Sequence, residues 1–133
     1  MKIWGAVIET IERARKHPEI LSVMHRLTTL YEEVYKFHQA VKKMGADLIK
    51  KGGDPLKTLA PTFTTEQTNI YIEVYNDIIE DIHSHLGKKN HYVTKFKKID
   101  KLNKPTLNDI IKTLFITGMN ILQIVGYLIR WMK

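Results

Sequence analysis

"TLFITGMNILQIVGYLI" (residues 113–129) is a run of seventeen residues without a formal charge. As a helix it is about 26 Å long, close to the roughly 30 Å of hydrocarbon that a membrane span crosses. Lys112 and Arg130 flank it like anchors. Three readings compete: a membrane span, the core of a bundle, and a surface for another copy of the chain. The interior of the run argues against the span. Thr113, Thr117, Asn120 and Gln123 place polar groups through its middle, and Gly118 and Gly126 lower its hydropathy further. Thr113, Asn120 and Tyr127 recur every seven residues with Thr117 beside them, which makes a narrow polar stripe on an apolar cylinder. Such a helix suits the centre of a bundle whose stripe meets solvent or a second subunit. Thr113, Thr117, Asn120, Tyr127 and Trp131 are therefore expected at a subunit interface, joined by Ile3, Trp4 and Val7 from the other end of the chain. One short chain has little other helix surface with which to cover this cylinder, and large bare apolar patches are rare on monomers.

Working back from this run, Thr106 and Asp109 have capping-box spacing and open the last helix, just after the break at Lys104-Pro105. Residues 88–104, "KKNHYVTKFKKIDKLNK", carry seven lysines against one aspartate. Tyr92, Phe96 and Ile99 there fit one short extra helix, or the segment is a loop. Thr64 and Gln67 again have capping-box spacing, and a helix runs from there to about Leu86 with Gly87 as its stop. Tyr71, Val74, Tyr75, Ile78, Ile82 and Leu86 form its inward face, widened by Ile70, Ile72 and Ile79. Its polar side is acidic (Glu66, Glu73, Asp77, Glu80 and Asp81), with no Lys or Arg in 64–86. Residues 52–64 form the longest linker, and Leu56, Leu59 and Phe63 are expected to pin it to the bundle.

The longest helix is read over residues 18–51. Ile20, Met24, Leu27, Tyr31, Val34, His38, Val41, Gly45 and Leu48 alternate in steps of four and three, with a second row at Val23, Leu30, Phe37 and Met44. Pro18 suits its first turn, and the glycines of "KKGGDP" (50–55) its end. Ahead of it, Ile3, Trp4, Val7, Ile8 and Ile11 fit a short amphipathic helix. The run Ile3–Ile8 is too short for a secretory leader, and Glu9 and Glu12 follow it directly. No repeat and no alternating strand pattern interrupts this reading. The expected fold is all-α: a four-helix bundle with one possible extra short helix, in a single domain over 1–133.

The chain has 133 residues, 44% of them hydrophobic, a net charge of +7 and no cysteine. That length supports one proper core. The missing cysteine excludes disulfides and thiolate zinc sites. The positive charge favours partners bearing phosphates or carboxylates. Glu80 and His83 have the Glu-x-x-His spacing of di-iron bundles, but that chemistry needs a second such motif and two more carboxylates, and the sequence has no second one. Asp81 and His85 are a common exposed pair. His38, on the apolar face of the long helix, reads as a core histidine. No phosphate loop, nucleophile elbow or paired catalytic carboxylate is present. No enzymatic activity, cofactor, metal or small-molecule substrate is expected.

The strongest chemical signal is the lysine-rich segment. Lys88, Lys89, Lys95, Lys97, Lys98, Lys101 and Lys104 interleave with His91, Tyr92 and Phe96, a pattern that can grip phosphates while the rings stack or pack. Lys42, Lys43, Lys50 and Lys51 could extend the patch. Two other readings stay open: that the acidic helix and the basic segment pair between subunits, and that the lysines are plain surface.

From "KIWGAVIETI" through a long helix and an acidic helix to "LFITGMNILQIVGYLIRWM", the organisation of the whole chain resembles the major structural (coat) proteins of archaeal tailed spindle-shaped viruses, which are small four-helix bundles. The resemblance implies a non-enzymatic virion shell subunit, made in the host cytoplasm and assembled in many copies with strong lateral contacts. It also implies contact with packaged double-stranded DNA or with envelope lipid. The alternative expectation is a dimeric nucleic-acid-binding protein that uses segment 88–104.

Overall fold

Helix α1, Pro18–Lys50, begins on a proline whose missing N–H is one of the donors that a helix start leaves without a partner. Ile20, Val23, Leu27, Leu30, Val34 and Val41 follow at alternating spacings of three, four and seven and are buried, as is Gly45. Met24, Tyr31, Phe37 and Leu48 flank this face half-buried, and Met44 is exposed. The helix stops where Gly52 adopts a left-handed φ of +84°. The Gly52 N–H then reaches the Ile49 carbonyl at 3.0 Å and the Gly53 N–H the Leu48 carbonyl at 2.9 Å, which is the pairing of a Schellman end. A side chain on Gly53 would collide with Leu48.

Residues 16–132 are described by this computed structural model. They form three α-helices, α1, α2 (Thr62–Leu86) and α3 (Leu107–Trp131), with one 3-10 turn at His91–Lys95. The described residues are thus all-helical. The short helix read ahead of α1, with Ile3, Trp4 and Val7, lies outside them. α1 is the hub: it packs most extensively on α3, less on α2, and α2 and α3 touch each other only lightly. α1 and α3 run antiparallel. Gly45 lies against Ile111 and Leu107, whereas Tyr31, fourteen residues earlier, lies on Gly118.

Two expectations about α2 are corrected. The helix starts at Thr62 behind Pro61, so the Thr64–Gln67 capping box does not form. Thr64 is buried one turn inside, and its carbonyl accepts from the Thr68 hydroxyl at 2.9 Å. The buried stripe runs Thr64, Thr68, Ile72, Tyr75, Ile79, Ile82 and Leu86, with Ile78 beside it. That rotation leaves Ile70 and Val74 exposed instead of inward.

The linker is also held differently from expectation, since Leu56, Leu59 and Phe63 are all exposed. Its backbone anchors it. Leu59 bridges Thr106 in antiparallel fashion, and the Ala60 N–H donates to the Pro105 carbonyl at 2.9 Å. The same contact completes the start of α3. Leu107 N–H donates to the Thr58 carbonyl, Asn108 N–H to the Pro55 carbonyl, and Asp109 N–H to the Thr106 hydroxyl. The Asp109 carboxylate returns a bond to the Thr106 N–H at 3.0 Å. The predicted capping box is present, and the first backbone donors of α3 all have partners.

Candidate functional site

The lysine-rich segment is neither a helix throughout nor a free loop. After the turn at 91–95 it runs extended along α2, held by side chains of that helix. Asn76 accepts from the Ile99 N–H and donates to the Ile99 carbonyl, both at 2.8 Å. Asn69, two turns earlier, does the same with Leu102 at 2.8 and 3.0 Å. The Tyr75 hydroxyl donates to the Lys97 carbonyl, and His83 Nε2 lies 2.7 Å from the Phe96 carbonyl, to which it must donate. Each asparagine offers an amide edge to extended backbone as a neighbouring strand would. Burial pushes the Tyr75 phenol pKa up, and the Asn120 amide beside it offsets part of that shift.

This placement separates the seven lysines. Lys98 pairs with Glu80 at 3.3 Å, Lys101 with Glu73 at 3.4 Å and Lys89 with Glu19 at 3.2 Å. The acidic helix and the basic segment therefore pair within one chain. These exposed pairs are each worth about 0–1 kcal/mol, so they orient the segment more than they stabilise it. Lys88 and Lys104 are exposed. Lys95 and Lys97 turn to the other side, where they meet Arg130 of α3 across a cleft of about 530 Å³. Lys42 lies elsewhere, on the groove between α1 and α3.

His83 and Glu80 do not form a metal motif, because His83 is spent on the Phe96 carbonyl and Glu80 on Lys98. Asp81 is taken by Arg26 of α1, and His85 Nδ1 lies on the Asp81 carbonyl at 3.0 Å.

The polar stripe of α3 meets partners within the chain, and only Thr117 of the residues read at an interface is fully buried. Thr117 is buried and its hydroxyl donates to the Thr113 carbonyl at 2.8 Å. Asn120 faces the cleft beside Tyr75. The Tyr127 hydroxyl accepts from the Asn90 amide at 2.6 Å, and its ring stacks on Tyr92 at 4.4 Å and meets Phe96 edge-on. Thr113 and Trp131 are half-buried. Few polar groups on an apolar helix draw whatever partners the chain supplies, and for Tyr127 the 90–96 segment supplies them.

The outward side of α3 is instead apolar. Phe115 is 55% exposed, Ile116 41%, Met119 41% and Leu122 47%. Only a third of the most apolar eighteen-residue window of α3 is buried, and by length and composition this helix could cross a membrane. Tyr31, Tyr35 and His38 of α1 extend the surface into a groove of about 240 Å³. His38 lies beside the Phe115 ring, 6.2 Å between centroids. Burial holds its imidazole pKa below the ordinary histidine range, and the Lys42 ammonium adds a smaller push.

The sign of that shift sets a pH dependence. Below about pH 6.5 the unfolded chain takes up a proton at His38 that the folded chain resists. Stability is present above that pH and is lost as the pH falls through the folded value. Urea midpoints at about pH 7.5 and 5.5 are expected to differ more in the wild type than in His38→Gln. Equal differences would remove His38 as a cause.

Sequence reasoning missed Asn69 and Asn76, Arg130, and the exposed apolar quartet on α3. The seven-residue spacing of the two asparagines, on the same helix side as Glu73 and Glu80, was the available signal. No family model, no curated protein and no solved structure matches this chain.

Proposed function

We propose that this protein is a non-enzymatic structural subunit that assembles with copies of itself, and that the assembly is a virion shell of the archaeal spindle-shaped type. One observation carries the reading: the solvent side of α3 presents Phe115, Ile116, Met119 and Leu122 as a continuous apolar strip. Rings of α1 extend it, and Lys112 and Arg130 bound it. A strip of this kind marks an interaction site on a soluble chain. The fourth helix expected from the sequence, with Ile3, Trp4 and Val7, lies outside the described residues and belongs to this reading as an expectation. The strip sits on a helix whose other side is buried in the core through Ile110, Leu114, Ile121 and Leu128, which favours protein neighbours over a bilayer.

The test is the mass of the purified protein by light scattering as its concentration rises. The expected result is a species well above the 15.5 kDa of one chain, growing with concentration and not requiring detergent. A strict monomer at high concentration, or a chain dispersed only by detergent, overturns the reading. The second reading, a dimeric nucleic-acid-binding protein, is favoured by one observation: Lys95, Lys97 and Arg130 converge on a ring-lined cleft.

A further inference from the structure

The cleft between the 3-10 turn and α3 combines unpaired cations with aromatic rings. Its lining includes the cations Lys95, Lys97 and Arg130 and no carboxylate. Among the described residues no carboxylate pairs with any of the three, whereas Lys89, Lys98 and Lys101 of the same segment are paired. The cleft therefore keeps a positive field that the rest of the segment has neutralised. Its wall is aromatic. Tyr92 is half-exposed, stacks on Tyr127 and touches Phe96 edge-on, and the Lys95 ammonium stands 5.4 Å from the Tyr92 ring centre. Asn120 and Gln123 add amides that can donate to and accept from a base edge.

A simple anion needs no rings, and an apolar ligand needs no cations. A nucleotide unit uses both, its base on a ring and its phosphate on a cation. The volume of about 530 Å³ lies in the range of ordinary ligand sites. A second hollow of about 510 Å³ adjoins it, walled by the same Tyr92, Tyr127 and Arg130 with Trp131 added. The two hollows share the stacked tyrosines and one arginine. That arrangement suits consecutive units of a strand better than a single nucleotide. Paired bases in a duplex are closed to such stacking.

We propose that this double hollow binds single-stranded nucleic acid, with bases against the Tyr92–Tyr127 pair and phosphates on Lys95, Lys97 and Arg130. The proposal rests on the nucleic-acid reading and is independent of self-assembly.

The test uses the full chain and fluorescence anisotropy with a labelled oligothymidine about twelve nucleotides long, within the usual site size, beside a duplex of equal length. Tyr92→Ala is expected to weaken strand binding roughly ten- to a hundredfold, and Tyr92→Phe to retain it. Replacing Lys95, Lys97 and Arg130 together by alanine is expected to flatten the log–log salt slope by about 2. Lys98→Ala with Lys101→Ala leaves strand affinity unchanged. Thermal melts followed by circular dichroism show that each variant is folded, and the exposed lysine variants keep the test open should Tyr92→Ala unfold. Strand binding insensitive to both Tyr92→Ala and the cation variant overturns the proposal. So does duplex binding as tight as strand binding and dependent on Lys98 and Lys101, an outcome that leaves the broader nucleic-acid reading standing. No binding of either probe overturns both.

Discussion

Replacing Asn69 and Asn76 together by alanine is expected to detach the lysine-rich segment from α2 while leaving the three helices folded. Four hydrogen bonds disappear, two at Ile99 and two at Leu102. Each bond contributes about 0.5–1.5 kcal/mol net, and a buried backbone group left without a partner costs about 1–3 kcal/mol. Ile99 and Leu102 are half-buried, so water replaces part of what is lost, and a total of about 2–4 kcal/mol follows. That energy is local. The remaining holds on the segment are the Tyr75 and His83 contacts, two exposed ion pairs and the packing of Val93, Phe96, Ile99 and Leu102. Trypsin is the direct probe, since Lys95, Lys97, Lys98 and Lys101 all lie in or beside the stretch. Cleavage there is expected to accelerate at least about tenfold, because proteolysis follows the population of the open form. Amide exchange at Ile99 and Leu102 rises in parallel. Asn76→Asp falls between, since a carboxylate still accepts from the Ile99 N–H but cannot donate to its carbonyl. An unchanged cleavage pattern in the double variant would show that packing alone holds the segment.

Placing opposite charges on the outer strip of α3, as Phe115→Glu with Leu122→Lys, is expected to abolish self-association without unfolding the chain. Burying a large apolar side chain contributes about 1.5–3 kcal/mol, so removing two from an interface raises its dissociation constant by about a hundredfold or more. Each introduced charge must also be desolvated for the contact to form. The effect on the fold is small, because both side chains already stand about half in water, Phe115 at 55% and Leu122 at 47% exposure. Light scattering is expected to return a monomer, with a melting temperature within a few degrees of the wild type. Assembly that persists in this variant would take the strip out of the interface. A collapsed melting temperature would mean that the strip is covered within the chain, and would sink the assembly reading with it.

Much of the local structure was legible in the sequence because it follows from nearest-neighbour physics. The spacing of Ile20, Leu27, Val34 and Val41 identified the buried face of α1. Gly52 had to terminate that helix, because the left-handed turn disfavours a side chain. Thr106 and Asp109 cap each other across three residues, so their bond needs no knowledge of the rest of the chain. The same rule failed at Thr64 and Gln67. Pro61 starts α2 earlier, and core contact claims the Thr64 side chain. The linker failed for a related reason: its apolar residues look like anchors, yet the backbone groups of 58–60 met those of 105–107 first.

What the sequence by itself determined is the three helices α1 to α3, the end of α1 and the start of α3, because periodicity, glycine and capping act within a few residues. What only the tertiary structure decided is which side of each helix is used. The hydroxyls and amides of α3 could have faced solvent or another subunit. Tyr127 turned toward the chain's own 90–96 segment because Asn90, Tyr92 and Phe96 arrive there from a stretch held on α2 by Asn69 and Asn76. That left Phe115, Met119 and Leu122 outside. The seven lysines were likewise sorted by where the extended chain lies, three toward the carboxylates of Glu19, Glu73 and Glu80 and two toward Arg130. Both outcomes depend on partners eighteen or more residues away in sequence, and no local pattern carries that distance.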